Sequence, residues 1–205
     1  MMNAGAPLDS ADDDSLVARI ALGDADAFST LFRRRCNTVL QFALHMTGVR
    51  AIAEDVTQDV FLTVIRQANR YKAGESNVTA WLYGIARNHV RHRLRRDRPV
   101  VSLDDSGVFE QELPNDIGDP SRDLARAEDL DALRKAILGL PKRYREVVVL
   151  CSLQQLSYVD AAAALGCAVG TVRSRLHRGR ALLAVKLGAT SRPAQAQPRR
   201  ARCVV

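Results

Sequence analysis

The chain has 205 residues, with 30 Lys and Arg against 23 Asp and Glu, which gives a formal net charge of +7. This length suits one domain or two small ones, and the pI near 9.7 favours a polyanionic partner such as nucleic acid or an anionic membrane surface. The sequence contains no apolar run long enough to span a membrane, no signal peptide, and no cysteine spacing typical of a disulfide framework or a zinc knuckle (Cys36, Cys151, Cys167, Cys203). It therefore predicts a protein of the reducing cytoplasm.

Charge is segregated along the chain. Residues 87–98 contain six arginines, whereas residues 100–120 contain six acids and no Lys or Arg. After Asp160 there is no acid, but nine Lys and Arg follow. The acidic stretch also holds prolines and glycines and lacks helical periodicity, which predicts a linker. The predicted organisation is an acidic disordered N-terminus (1–14), a first domain (15–98), the acidic linker (99–120), a second domain (121–188) and a disordered basic tail (189–205).

The first domain shows apolar residues at spacings of three and four, which predicts helices. The pattern breaks at Gly23, resumes after an Asp24 N-cap and ends at Gly48. The next helix carries Glu54 and Asp55 in its predicted first turn, and its predicted buried stripe is Ala53, Val56, Val60, Phe61, Val64 and Ile65. A loop at 72–77 leads to a last helix that turns its apolar side inward (Trp81, Leu82, Ile85, Ala86) and runs into the arginine block.

The second domain begins with a helical pattern over residues 130–140, interrupted at 139–141, where Pro141 starts the next helix. A short alanine-rich helix at 157–165, a turn at Gly166 and a basic helix at 171–187 form a helix-turn-helix signature. Val172, Leu176 and Leu183 are predicted to pack inward, which leaves arginines on the other faces. The predicted fold class is therefore all-α, with two small helical domains joined by an acidic flexible linker and a helix-turn-helix in the second.

Four segments in order resemble the extracytoplasmic-function (group IV) sigma factors of bacterial RNA polymerase. Residues 53–61 (AEDVTQDVF) resemble the core-binding helix of the family's region 2, and residues 80–88 (AWLYGIARN) resemble its promoter-melting and minus-10 segment. Residues 140–148 (LPKRYREVV) and 170–178 (GTVRSRLHR) resemble region 4, which reads the minus-35 element. The resemblance covers about residues 15–188.

This resemblance implies a protein that is not an enzyme, joins core RNA polymerase, directs it to a promoter and helps to open the duplex. It implies no cofactor, no metal and no catalytic residue, an anti-sigma factor as a further partner, and no membrane insertion. The implied core-binding residues lie on the polar face of the 53–66 helix (Asp55, Gln58, Asp59, Leu62); the alternative is an ordinary solvated face. The implied minus-35 residues lie in the basic helix, in position for major-groove and phosphate contacts (Thr171, Arg173, Ser174, His177, Arg178).

The first domain would hold an unpaired minus-10 base in a loop pocket, as the family does. The residues implied for minus-10 recognition and melting lie in the 72–77 loop and the helix after it (Lys72, Ser76, Asn77, Trp81, Asn88, His89, Arg91). For Trp81, core packing is an equal alternative. The acidic linker could occupy a polymerase channel as an RNA mimic or serve as a plain tether.

Some positions depart from the family pattern. Ala168 replaces the usual Ser or Thr N-cap of the recognition helix, so that helix start should fray until DNA binds. Val78 replaces an aromatic residue, and His92, next to His89, replaces an acid, which suggests an exposed histidine pair on the DNA side rather than a metal or pH-sensitive site. The basic tail with Cys203 is an addition to the family pattern, for which a disordered phosphate-binding tail and redox sensing through Cys203 are the alternatives.

Two rival functions remain open on the sequence. A stand-alone helix-turn-helix transcriptional regulator would leave the 53–66 and 80–98 motifs unexplained. A metal- or redox-dependent enzyme would need a site, but the cysteines and histidines have no ligand spacing, and no nucleophile, P-loop or dinucleotide-binding motif is visible.

Overall fold

The computed structural model describes residues 11–74, 77–96 and 120–190. All regular elements in these ranges are helices, which confirms the predicted all-α class. The predicted acidic linker and basic tail lie almost entirely outside the described residues, so both remain predictions.

The N-terminal domain consists of α1 (Asp13–Ala21), α2 (Ala25–Thr47), α3 (Arg50–Gln67, continued by a 3₁₀ turn at Ala68–Arg70) and α4 (Val78–Arg96). Asp24 caps α2 as predicted, because its carboxylate accepts from the backbone N–H groups of Asp26 and Ala27. Gly48 ends α2 in the left-handed conformation, with φ of 76°. The helices bury one apolar core, with Phe42 and Tyr83 near its centre.

The structure corrects three details of this domain. Helix α1 begins at Asp13, inside the segment predicted to be disordered, because Asp12 caps it and Asp13 pairs with Arg34 and Arg35 of α2. Helix α3 begins at Arg50, so Glu54 and Asp55 do not lie in its first turn. Ile65, predicted to be buried, is 51% exposed, because it lies beyond the edge of the stripe that faces α2 and α4.

The C-terminal domain consists of α5 (Pro120–Leu138), α6 (Lys142–Val148, continued by a π-helical turn at Val149–Leu153), α7 (Tyr158–Leu165) and α8 (Val169–Thr190). Pro141 stands one position before the first helical residue, as the N-cap of α6. The side chain of Ser157 caps α7, and Gly166 ends it with φ of 60°. Val172 and Leu176 are buried as predicted, whereas Leu183 is only partly buried.

The helix-turn-helix depends on a close approach between α8 and α6. A Cβ atom on Gly179 would lie 2.8 Å from Cγ2 of Val148 and 3.4 Å from Tyr144, so only glycine fits. The backbone of α8 therefore packs directly against side chains of α6 at this point.

The two domains also pack against each other. The hydroxyl of Tyr83 in α4 donates to Oε1 of Gln154 at 2.8 Å, and a Cβ on Gly84 would lie 3.6 Å from the carbonyl oxygen of Ala164 in α7. The Arg145 guanidinium donates to the Met46 carbonyl in the N-terminal domain, at 2.7 Å. This arrangement was not predictable from the sequence, because the predicted linker suggested independent domains.

Candidate nucleic-acid interface

One face of α8 gathers the residues predicted to meet duplex DNA. Arg173, Ser174, His177 and Arg178 are exposed, and their spacing places them side by side on the surface of one helix. Val172 and Leu176 lie on the opposite side, buried against the rest of the domain. The structure therefore holds this face towards solvent on a rigid support. Thr171, in the first turn, is only partly exposed.

Two tyrosines lie beside this face, and the sequence reasoning missed both. The guanidinium of Arg173 lies over the ring of Tyr158, 5.8 Å from its centroid, and that of Arg143 lies 4.8 Å from the centroid of Tyr144. A hydrogen bond from Arg178 lowers the pKa of Tyr144. Tyr158 is the first residue of α7, directly after its Ser157 cap. Since the two helices of a helix-turn-helix cross each other, this position in the first helix was the sequence signal that could have indicated a contact with the second.

The start of α8 bears on the predicted effect of Ala168. The backbone N–H groups of Thr171 and Val172 bond to the Ala168 carbonyl, at 2.9 and 3.2 Å. An alanine side chain has no acceptor for the first N–H groups of the helix. Fraying at the start of α8 in the absence of DNA therefore stays a prediction.

The loop and first turn of α4 hold the residues predicted to contact an unpaired base. Lys72 and Asn77 are exposed, whereas Ser76 lies outside the described residues. The Asn77 side chain accepts from the N–H of Ala80 at 2.7 Å and so caps α4. Trp81 is partly buried, and its ring lies 5.1 Å from that of Tyr71. It therefore contributes to packing while part of its surface reaches solvent.

The structure does not bring Asn88, His89 and Arg91 together on one face. Asn88 is exposed, but Nε2 of His89 lies 2.9 Å from the Thr63 hydroxyl of α3, and burial lowers the pKa of His89. His89 thus faces α3 while His92 is exposed, which differs from the predicted exposed pair. Arg91 points to the C-terminal domain, with Nε 3.7 Å from the Glu146 carboxylate.

The residues predicted to bind core polymerase share one face of α3. Asp55 and Gln58 are exposed, Asp59 is partly exposed, and Leu62 is 48% exposed. Arg93 of α4 forms ion pairs with Asp55 at 3.1 Å and with Asp59 at 3.4 Å. This acidic face is therefore partly neutralised, and the apolar surface of Leu62 and neighbouring Ile65 continues it towards the end of the helix.

The described residues contain no cluster of three or more His, Cys, Asp or Glu that could hold a metal ion. Cys36, Cys151 and Cys167 are free thiols, and burial raises the pKa of Cys36 and of Cys151. Within the ranges that the structure describes, no helix is both long and apolar enough to cross a membrane.

Comparison with known proteins identifies two family segments. Residues 31–100 match the model of sigma-70 region 2, and residues 130–183 match that of sigma-70 region 4. RNA polymerase sigma-H factor of Pseudomonas aeruginosa is 33% identical over 174 residues, covering 82% of this chain and 90% of that one. RNA polymerase sigma factor CarQ of Myxococcus xanthus is 37% identical over 169 residues, covering 81% and 92%.

Two solved structures resemble the whole fold. CnrH, in complex with the cytosolic domain of CnrY, has a TM-score of 0.65 and 28% identity, covering 87% of this chain and 99% of that chain. The sigma factor RpoE of Bartonella quintana, in complex with the anti-sigma factor NepR, has a TM-score of 0.61 and 31% identity, covering 80% and 98%. The similarity in fold therefore extends over most of the chain and is not confined to one of the two domains.

Proposed function

Because the chain belongs to the sigma-70 family, as an extracytoplasmic-function sigma factor, we propose that its two helical domains divide promoter recognition between them. Proteins of this kind direct RNA polymerase to promoters and start transcription there, and this chain does the same. The exposed face of α8 is the observation that best supports the division of roles. The C-terminal domain reads the minus-35 element, and the N-terminal domain binds core polymerase and the minus-10 element.

The α8 face has the chemistry needed for intact duplex. Arginine offers a planar fork of donors that matches the acceptor edge of guanine, and it also binds phosphate. We assign base reading to Arg173, Ser174, His177 and Arg178, which lie side by side and exposed. The cation–π contact with Tyr158 restricts Arg173, so less side-chain freedom is lost when that arginine contacts a base.

The minus-10 element requires a different chemistry, because the base must leave the stack before it is read. An unpaired base gains from stacking on an aromatic ring and from nearby positive charge. The partly exposed Trp81, supported by Tyr71, and the exposed Lys72 supply these two features at the start of α4. We assign base capture to this loop and the first turn of the helix. Asn77, which caps α4, fixes the loop to the helix.

We further propose that the protein acts in the cytoplasm, where RNA polymerase works, and that it catalyses no reaction of its own. Its regulation is inferred from a relative: RpoE of Bartonella quintana is described in complex with an anti-sigma factor. An anti-sigma factor is therefore the expected inhibitor of this chain as well.

Core association is the experiment that separates this function from a stand-alone helix-turn-helix regulator. The full chain should bind immobilised core RNA polymerase. Asp55→Ala combined with Gln58→Ala should weaken binding about tenfold, since interface residues that matter cost more than ~1 kcal/mol when truncated. Asp131→Asn is the control, because Asp131 forms only an exposed pair with Lys135 one turn along α5.

Each outcome of that experiment is informative. Wild-type chain that binds duplex DNA but not core polymerase would establish the stand-alone regulator. Core binding that the double variant leaves unchanged would remove the docking role from α3 while preserving the sigma function. Circular dichroism of each variant checks that the helices are intact.

A further inference from the structure

A buried carboxylate joins the two domains. Glu146 of α6 is 3% exposed, and both of its ionic partners belong to α4 in the other domain. Its carboxylate lies 3.2 Å from Nε of Arg87 and 3.7 Å from Nε of Arg91. A buried charge is tolerated only with such partners, so Glu146 ties the stability of the domain contact to two arginines of the DNA-facing helix.

The same contact contains polar atoms that the closed arrangement leaves unsatisfied. Nε of Arg87 and Oε1 of Glu146 are buried and have no hydrogen-bond partner among the described residues. Lys142 adds positive charge nearby: burial lowers its pKa, Glu146 raises it, and Arg91 and Arg95 lower it again. Opening would hydrate all of these groups. Ionic attraction therefore holds the two domains together, but the unsatisfied polar atoms lower the stability of the contact.

The closed arrangement cannot engage both promoter elements at once. Elements about 25 base pairs apart are separated by roughly 85 Å at 3.4 Å per base pair. Two touching domains of roughly 70 residues, each with a radius of gyration near 11 Å, place their centres only about 30 Å apart. A chain the length of the 97–119 segment can reach about 80 Å when fully extended. Promoter binding therefore requires the domains to separate.

We propose that Glu146 closes an autoinhibited state of the free protein by occupying Arg87 and Arg91 in place of DNA phosphates. This rests on the proposed function, because the open state is the one that reads promoters. When the two domains separate, Arg87 and Arg91 lose the Glu146 carboxylate and can bind DNA phosphates instead. Separation also exposes the face of α4 that packs on α7. The Tyr83–Gln154 hydrogen bond and the packing of Gly84 against the backbone of Ala164 align the two surfaces in the closed state.

Glu146→Gln tests the closure itself, since it keeps the side-chain shape and removes the charge. Small-angle X-ray scattering of the full chain without polymerase or DNA should show a radius of gyration larger by about 5 Å or more. Asp131→Asn is the matched control, because it removes one exposed acid from the same domain and should leave the radius unchanged. A Glu146→Gln radius equal to that of the wild type would overturn the proposal.

The competition with phosphate has its own measurement. The probe is an arbitrary duplex of about 40 base pairs, long enough at 3.4 Å per base pair to reach both domains. Binding of Glu146→Gln should be tighter than wild type, and its log–log salt slope should steepen by about 1.8, the equivalent of two further phosphates. Asp131→Asn makes the same change in net charge and serves as the control. If the two variants had equal salt slopes, Glu146 would not be keeping Arg87 and Arg91 from DNA phosphates, which would contradict the proposal.

Tyr83→Phe provides a second route if Glu146→Gln loses helical content by circular dichroism. It keeps the buried ring and removes only the hydroxyl that donates to Gln154. We expect a smaller increase in the radius of gyration, and an unchanged radius would count against closure. Neither scattering nor duplex binding uses polymerase, so failure of the sigma function in a core-binding assay is distinguishable from failure of this proposal.

Discussion

The two arginine-rich helices, α4 and α8, differ in what surrounds their charges. In α4, Arg87 and Arg91 pair with Glu146, and Arg93 pairs with two acids of α3. In α8, the arginines of the exposed face contact tyrosines, and none forms an ion pair with a carboxylate among the described residues. Only α8 therefore presents most of its positive charge ready for duplex DNA.

This difference shows that the number of basic residues in a segment does not tell how many of them are free of carboxylate partners in the folded protein. The chain has no acid after Asp160, so α8 lacks local acids. The α4 block lies far in sequence from the acids that pair with it, and only folding brings them together. The helix that we propose to bind the melted promoter is therefore the one in which three arginines are paired with carboxylates.

The largest expected effect of a substitution in either arginine-rich helix is at Arg173 of α8. Arg173→Ala should reduce transcription about tenfold or more on a promoter with its preferred minus-35 sequence, because a good bidentate base contact contributes roughly 1–3 kcal/mol of discrimination. The measurement is run-off transcription across minus-35 variants. A uniform loss on every variant would assign Arg173 to phosphate instead, and Lys135→Ala, which changes an exposed side chain of α5, should have no effect.

Packing beneath the α8 face gives the next effect. Gly179→Ala should destabilise the protein by about 1–3 kcal/mol, because the new methyl overlaps Val148. Gly170→Ala is the matched control: its Cβ meets nothing within 4 Å, and replacing a helical glycine should stabilise by about 0.5–1 kcal/mol. Urea unfolding checks both, and equal stabilities would contradict the close contact between α6 and α8.

The cap of α8 gives a smaller effect. Ala168→Ser should add about 0.5–1 kcal/mol to the free energy of unfolding, because serine can accept a hydrogen bond from the first turn. Ser157→Ala should remove a similar amount from α7, where the serine accepts from the N–H of Asp160. Thermal unfolding of the two variants compares the helix ends directly. No gain at Ala168 would mean that this end is already satisfied.

The smallest effect is a pH dependence on the packed side of the N-terminal domain. Burial lowers the pKa of His45 below its ordinary value of 6.5, the Gln41 hydrogen bond raises it, and Arg134 of α5 lowers it again. The unfolded chain therefore binds the proton more readily, so this contribution is fully present above about pH 6.5 and is lost as the pH falls. His45→Gln should flatten the profile of unfolding free energy between pH 7 and 5, measured by urea unfolding at each pH, and a profile as steep as that of the wild type would contradict this assignment.

Local chemistry made much of the fold predictable. The Asp24 cap, the Gly48 and Gly166 ends and the helix-turn-helix all follow from residues adjacent in sequence, and the structure confirms them. The exposed α8 face was equally readable, because the buried Val172 and Leu176 leave its arginines on the other side.

Long-range contacts were not predictable in this way. The helical pattern around Glu146 does not indicate that it is buried, because its ionic partners are arginines more than fifty residues away. The family resemblance implies His89 for minus-10 recognition, but its ring faces the Thr63 hydroxyl of α3. Neither partner has any sequence signal, since residues on packed helices meet through tertiary geometry alone.

The most direct test of two-part promoter reading is run-off transcription by core polymerase and the full chain on a randomised promoter library. We expect enrichment in two blocks, one near minus 35 and one near minus 10, with Arg173→Ala changing only the upstream block. Transcripts without sequence enrichment, or enrichment in a single block, would contradict the assignment of one element to each domain.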